Sequence, residues 1–460
     1  VKERKLGKGL RLLLPWLERN TGDIRVLDMA ATCYFQLGDG ATAVKLVEAL
    51  LEAQPSVSQA WGKLAAMHMS LGNREGAAQA FETAVELNPG NVQILSAWNQ
   101  LEVFAPDSPP AAQLRAVLQD EKTPERDRIN AGFALARVED KAGNIQAAFR
   151  CFSEANSLKA DGYNTAYQDQ RVQAQLAADS PGNLAGDTSE EPRVLFVTGL
   201  PRSGTTLVET CLTRHSQVTS IGESEALSRV AGEIRRHVAS RTGDKGHWNW
   251  LANLTQEDLE HFRARFKLLA FGPAGPGEPV VIDKMPLNCF DMGLARLLLP
   301  NARFLFLSRH PLDAGLSNFT MNFGWGNRFS YGLETIGHMT RCVYQSALDY
   351  QAKLGNALRV QSYDALVRSP EEQIRAVLQH AGLGWEEACL SPEKNGNAVR
   401  TASVMQVRDS INTGALGKWK RYEAHLDPLK DALGGEAWIL QWQKWDQHAA
   451  ETGRFPLETA

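Results

Sequence analysis

Gly38 and Gly72 stand 34 residues apart, and Ala43 with Ala77 and Pro55 with Pro89 keep the same interval. A fixed period of that length marks a stacked helical-hairpin repeat, and few other architectures accommodate it. One hairpin cannot bury its own apolar face, so neighbouring hairpins must pile into a solenoid. In the second unit Trp61, Leu64, Gly72, Ala77, Phe81, Ala84 and Pro89 supply the pattern. Ala77 and Ala84 let two helices approach closely, Phe81 fills the space between them, and Gly72 permits the turn that joins them. The first unit carries Tyr34, Gly38, Ala43 and Pro55, and a later one carries Gly143, Ala148, Phe152 and Ala155. The proline-rich stretch 105–110 breaks the interval before that later unit.

These positions resemble a tetratricopeptide repeat. Such a solenoid implies a concave surface for a protein, peptide or glycan, a dimer contact, or a scaffold that binds nothing. The helical pattern continues to residue 178, and residues 179–192 are polar and rich in chain breakers, as a linker requires. We therefore read residues 1–178 as an α-helical repeat solenoid, 179–192 as a linker and 193–460 as a second domain. A chain of 460 residues has room for both cores.

The second domain opens on an apolar run at 194–197, then Gly199-Leu200-Pro201-Arg202-Ser203-Gly204-Thr205-Thr206. A strand feeding a glycine-bearing turn and then a helix cradles a phosphate-like anion. The turn amides converge on it and the helix N-terminus adds partial positive charge. An ATP loop of the G-x-x-x-x-G-K-[ST] kind places lysine after the second glycine. Thr205 occupies that place here, and a cation, Arg202, sits inside the loop instead. Further short apolar runs at 280–282, 303–307 and 358–361 alternate with helical patterns, which predicts a parallel α/β sheet. Ligands bind at the carboxyl ends of such strands, where Arg202, Lys284, Arg309 and Tyr363 fall.

The loop with its flanks resembles the sulfate-donor loop of sulfotransferases. Asp283-Lys284-Met285-Pro286, then Arg309-His310-Pro311-Leu312-Asp313 with Ser317 eight residues past the arginine, resembles the tetratricopeptide-linked members and is similar to tyrosylprotein sulfotransferase. The resemblance spans roughly residues 193–430. It implies a P-loop-like α/β domain and a donor, 3′-phosphoadenosine-5′-phosphosulfate (PAPS), leaving adenosine 3′,5′-bisphosphate as product. Carried over, Lys284 contacts the bridging region of the phosphosulfate, and Arg309 and Ser317 bind the 3′-phosphate. Tyr363 faces the nucleotide, and Ser403 with Lys418, 15 residues apart, close over the 3′-phosphate. The amides of the loop with Ser203, Gly204, Thr205 and Thr206 hold the 5′-phosphate, and Arg202 joins Lys284 at the leaving oxygen. No divalent metal is expected, because a sulfuryl group carries less charge than a phosphoryl group.

The acceptor hydroxyl needs a base, and Gly222-Glu223-Ser224-Glu225 follows a short β-like run at 218–221. Related tyrosylprotein enzymes carry Gly-Glu-Glu with the second glutamate as base. Here that place is Ser224, so Glu223 is the first choice and Glu225 the second. The departure leaves the acceptor open among peptide tyrosine, a glycan hydroxyl and a small molecule. His215 and His310 read as structural, the tryptophans of 438–445 as packing of a terminal helix, and 369–372 as a capping box. Phe323, Trp325 and Phe329 are candidates for an acceptor cleft.

The net charge of −4 gives no whole-protein argument for nucleic acid or an anionic membrane. Six scattered cysteines without a C-x-x-C pair suit a reducing compartment. No apolar run reaches the ~18 residues of a membrane span, and the Val-Lys-Glu-Arg-Lys start is no secretory signal. These features favour the cytoplasm, with an upstream segment left open. Two other readings compete. A nucleotide-dependent phosphotransferase or hydrolase would need a lysine at Thr205 and a metal-binding aspartate at a strand end. The other is a repeat-based binding scaffold whose α/β half is inactive.

Overall fold

The computed structural model describes residues 2–20, 22–159, 162–178, 193–243, 253–273, 275, 277–324, 326–394 and 410–456. The chain divides into two compact units, the first formed by the residues up to 160 with Thr320–Gly324, and the second by most of the rest.

Among the described residues, nine helices of the first unit run in sequence: α1 (Lys2–Arg19), α2 (Ile24–Leu37), α3 (Gly40–Ala53), α4 (Ser58–Leu71), α5 (Arg74–Leu87), α6 (Val92–Leu101), α7 (Pro109–Gln119), α8 (Glu125–Lys141) and α9 (Ile145–Ser157). The 34-residue interval sets the hairpin turns. Gly72 takes φ of 82°, and the amides of Gly72 and Asn73 close α4 on the carbonyls of Met69 and His68. One residue on, Asn73 caps α5 through the amide of Gly76 at 3.0 Å, as Asp39 caps α3 through Thr42 at 3.0 Å. Each glycine thus ends one helix where the next residue begins another. The small and aromatic repeat positions Ala43, Ala77, Phe81, Ala84, Ala148, Phe152 and Ala155 are all buried. The proline-rich stretch opens a helix: Ser108 caps α7, with proline at its first turn.

The second unit holds α10 (Thr165–Ala177), β1 (Arg193–Gly199), α11 (Thr205–Leu212), β2 (Val218–Ser220), α12 (Ala226–Thr242), α13 (Gln256–Phe271) and β3 (Val280–Lys284). It continues through α14 (Met292–Leu298), β4 (Arg303–Ser308), α15 (Pro311–Phe319), α16 (Leu333–Leu354), β5 (Leu358–Ser362), α17 (Tyr363–Arg368), α18 (Pro370–Ala381), α19 (Asp427–Leu433) and α20 (Gly435–Thr452). The compact units divide before α10, whereas the sequence pattern placed the end of the helical half at 178. Gln175 of α10 bonds the Ser346 carbonyl and Asp349 on α16, and Arg171 pairs with Asp291 at 2.7 Å. The proposed linker, 179–192, lies outside the described residues.

The five strands among the described residues are all parallel, in the order β2-β3-β1-β4-β5. The four predicted strands are present, and the short run before Gly222 is β2. Both faces are covered, which explains strands that are apolar throughout. Leu195, Val197, Ile282, Leu305 and Leu307 pack on one face against Val208 of α11 and Ile374 and Val377 of α18. On the other, Phe196 stacks on Phe304 at 5.4 Å and meets Phe266 of α13, while Phe306 meets Tyr344 of α16. After β1 the chain goes to one side for β2 and β3, then crosses to the other for β4 and β5. The carboxyl end of β1 is therefore the point where strand order reverses, the place where such sheets bind ligands. The six cysteines form no disulfide. Among the described residues no helix is long and apolar enough to cross a membrane.

Candidate active site

β1 ends in a loop held under backbone strain. Gly199 and Gly204 take φ of 143° and 103°, and Arg202, at 72°, is the one non-glycine residue at positive φ among those described. Such a conformation persists only where surrounding contacts impose it. Here the contacts are visible. Arg309, just past β4, donates from Nη1 to the Arg202 carbonyl at 2.6 Å and from Nη2 to the Ala415 carbonyl at 2.9 Å. Arg202 itself donates from Nε to Ser317 Oγ on α15 at 3.0 Å. Asn318 donates to the Pro201 carbonyl at 2.7 Å.

Tyr363 completes this corner. It is the first residue of α17 rather than the last of β5, and the Arg309 guanidinium lies 4.7 Å from its ring centroid. Burial pushes the Tyr363 hydroxyl above its ordinary pKa, opposed by the charge of Arg309. Gly204 faces the same ring so closely that a Cβ there would overlap it. Two buried donors in this corner, Ser203 Oγ and Arg309 Nε, have no hydrogen-bond partner among the described residues. An unpaired buried donor is costly, so the two mark this corner as incompletely satisfied.

On the other side of β1, Lys284 ends β3 opposite Val197. Its side chain is 0% exposed, yet Nζ lies 2.6 Å from Glu223 Oε1 and 3.6 Å from Glu209 Oε2. A buried ammonium requires such partners. Parallel pairing of β2 and β3 brings them together, because the Lys284 amide bonds the Gly222 carbonyl at 3.0 Å. Glu209, on α11, was not singled out from the sequence. Ser220 donates to its Oε1 at 2.6 Å, and burial raises its pKa despite the opposing charge of Lys284. Neighbouring Asp283 is wholly buried and its pKa stands well above the ordinary value, chiefly through burial. Glu223 keeps a 48% exposed side chain, so it joins the buried ammonium to solvent.

Glu225, the second-choice base, points elsewhere. Its carboxylate pairs with Arg229 one turn along α12, and its side chain is 64% exposed. Thr205 and Thr206 open α11, with Thr205 buried. Lys418 begins a 3₁₀ turn (Lys418–His425) fastened by Asp313 of α15, which accepts from the amides of Gly417 at 2.7 Å and Trp419 at 3.0 Å. Ser403 lies outside the described residues, as does Trp325. His215 is buried, with Nε2 3.2 Å from the Gly384 carbonyl. His310 stacks on Trp419 at 5.3 Å, and burial lowers its pKa to about 4. Both act as structural residues. Phe329 is buried, its ring edge-on to Tyr163 at 6.4 Å. The expected capping box at Ser369 does not form, since at φ −131° and ψ 62° its hydroxyl makes no cap bond.

A second layer was also invisible locally. Asp446, on α20, accepts from Ser308 at 2.6 Å and from Ser362 at 2.8 Å, the last residues of β4 and β5. It thereby fixes the strand ends that present Arg309 and Tyr363. Tyr344 joins the network, accepting from Trp442 at 2.8 Å and lying 3.2 Å from Ser308 Oγ. Burial raises the Asp446 pKa to about 6, with the two serine bonds opposing. The tryptophan-bearing α20 is core, as its helical spacing predicted, and Trp442 and Trp445 are buried.

Residues 192–387 match the sulfotransferase family, and residues 29–92 match the tetratricopeptide repeat. An uncharacterized protein of Aquifex aeolicus is 29% identical over 406 residues, covering 86% of this chain and 52% of its own length. The protein-tyrosine sulfotransferase of Drosophila melanogaster is 25% identical over 265 residues, 54% of this chain and 52% of that protein. Protein-tyrosine sulfotransferase 2 of Gallus gallus is 26% identical over 265 residues, 54% of this chain and 70% of that protein. The chain spans about half the length of the first two of these relatives.

Proposed function

We propose that this chain, which joins a tetratricopeptide-repeat region to a sulfotransferase-family domain, moves a sulfuryl group from PAPS to an acceptor hydroxyl. The supporting observation is the corner built from Arg202, Ser203, Arg309, Ser317 and Tyr363, with two buried donors left without a protein partner. Those residues fit a phosphorylated adenosine. Arg309 and Ser317 take the 3′-phosphate and Tyr363 the nucleotide, while Ser203, Gly204, Thr205 and Thr206 with the loop amides take the 5′-phosphate. When bound, the donor supplies a sulfur whose bond to the bridging oxygen breaks as the acceptor oxygen attacks, with that electron pair remaining on the phosphate.

Within this reading the chain supplies position and charge. Glu223 takes the proton from the acceptor hydroxyl, and Lys284 with Arg202 stabilises negative charge on the leaving oxygen. Glu209 lies 3.6 Å from Lys284 and shares its charge with Glu223. Lys418 and Ser403 close over the 3′-phosphate. The repeat region holds the acceptor or a partner protein. The phosphotransferase reading gains nothing, because Thr205 stands where that chemistry needs lysine.

The test is release of adenosine 3′,5′-bisphosphate from PAPS in the presence of tyrosyl peptides, glycans and small phenols. Glu223→Gln should lower turnover about 10²- to 10⁴-fold, the usual worth of a positioned base, while bisphosphate affinity changes less than about twofold. Glu225→Gln removes only an exposed one-turn ion pair and should leave turnover nearly intact. Full activity in Glu223→Gln would remove it from the role.

A further inference from the structure

We propose that Asp169, His338 and Cys342 bind a divalent transition-metal ion, zinc being the best fit, which fastens α10 to α16. His338 and Cys342 are four residues apart on α16 and so share one face, and Asp169 comes from α10. His338 Nε2 lies 2.9 Å from Asp169 Oδ1. Cys342 Sγ lies 3.9 Å from that oxygen and 4.0 Å from that nitrogen. Sγ is also 3.9 Å from His338 Nδ1, so it lies beside the ring, and a turn of the imidazole brings Nε2 to face an ion held between the three side chains. Three protein ligands leave the fourth, tetrahedral position of a zinc ion to water.

The surroundings complete such a site. Tyr163 Oη is 2.7 Å from the other ring nitrogen, His338 Nδ1. A metal-binding histidine needs a partner of this kind to fix its tautomer and orientation. Tyr163 is itself set by edge contacts with His338 at 5.7 Å and Phe329 at 6.4 Å. Asp169 is 59% exposed on its side chain, which gives an ion a way in, whereas Cys342 is 2% exposed and shields the sulfur. One sulfur, one imidazole and one carboxylate suit zinc and related ions. Magnesium and calcium prefer all-oxygen sets. None of the three ligands belongs to the donor corner or the Lys284 cluster, so the ion is structural and takes no part in sulfuryl transfer.

The test uses the full chain stripped of metal, titrated with Co²⁺ and then with Zn²⁺. One equivalent of Co²⁺ should give a thiolate-to-cobalt absorption band in the near ultraviolet with the visible bands of a four-coordinate ion, and Zn²⁺ should remove both. Cys342→Ser should abolish the thiolate band. Asp169→Asn should lower Zn²⁺ affinity more than about tenfold, while the metal-free variant melts like the parent and binds adenosine 3′,5′-bisphosphate equally well. Because Asp169 is exposed, that variant decides the matter even where Cys342→Ser does not fold. A wild-type chain without a thiolate band, the same band in Cys342→Ser, or unchanged Zn²⁺ affinity in Asp169→Asn would each overturn the assignment.

Discussion

Replacing Gly204 by alanine perturbs the donor loop twice. At φ of 103° an L-residue carries about 1–2 kcal/mol of backbone strain. The added methyl overlaps Tyr363 Cδ2 and comes within 2.8 Å of Cε2. That ring cannot simply retreat, because it is 7% exposed and carries the Arg309 guanidinium. Overpacking of this kind adds about 1–3 kcal/mol. The sum, about 3 kcal/mol, corresponds to a melting point lowered by roughly 6–12 °C at the scale of a domain of some 200 residues. Adenosine 3′,5′-bisphosphate should bind at least tenfold more weakly, since Arg309 moves with the ring. Gly243→Ala is the matched control. Its φ is 73°, but nothing among the described residues lies within 4 Å of the new Cβ, so there it meets strain without overlap. Thermal melts and bisphosphate titrations of the two variants separate the effects. Equal destabilisation by both, with donor affinity intact, would refute the ring-against-loop contact.

Two further outcomes follow from the buried carboxylates. Burial raises Asp446 to about 6 from an unfolded value near 3.9, so its contribution to stability is complete below about pH 4 and is lost as pH rises through 6. Asp446→Asn does not titrate; urea unfolding should therefore shift in the variant's favour, relative to wild type, by about 2 kcal/mol between pH 4 and pH 7.5, and a constant difference would count against it. Asp313→Ala removes the acceptor that fastens the turn bearing Lys418, so the amides of Gly417 and Trp419 should exchange with solvent at least tenfold faster. Unchanged protection there would show that the turn is held by other contacts.

The repeat was legible because its period is a packing requirement, and its small and aromatic positions Ala43, Ala77, Phe81 and Ala84 are buried, while Pro55 and Pro89 are exposed. The sheet was legible because strands covered on both faces must be apolar throughout, and Arg202, Lys284 and Arg309 each stand at or just beyond a strand end. What the sequence concealed was pairing over distance. Glu209 is an unremarkable helix residue until β2 and β3 bring Ser220 and Lys284 to it. Asp446 lies 138 positions from Ser308, with no local pattern joining them. Local capping chemistry also misled at Ser369. Ser362 is the serine that caps, through the amide of Ala365 at 3.1 Å, because its extended backbone aims the hydroxyl into the first turn. For Glu223 and Glu225 the sequence left two bases open; in the fold Glu223 lies 2.6 Å from Lys284, whereas Glu225 pairs with Arg229.

The most direct measurement is calorimetric titration of the full chain with adenosine 3′,5′-bisphosphate and with ATP, on wild type and Arg309→Ala. On the proposed reading, the bisphosphate should be favoured over ATP by at least tenfold. Losing the charge-assisted bonds of Arg309 should weaken the bisphosphate by about tenfold to a hundredfold and erase that preference. ATP binding as tightly as the bisphosphate, or a preference that survives in Arg309→Ala, would contradict the account.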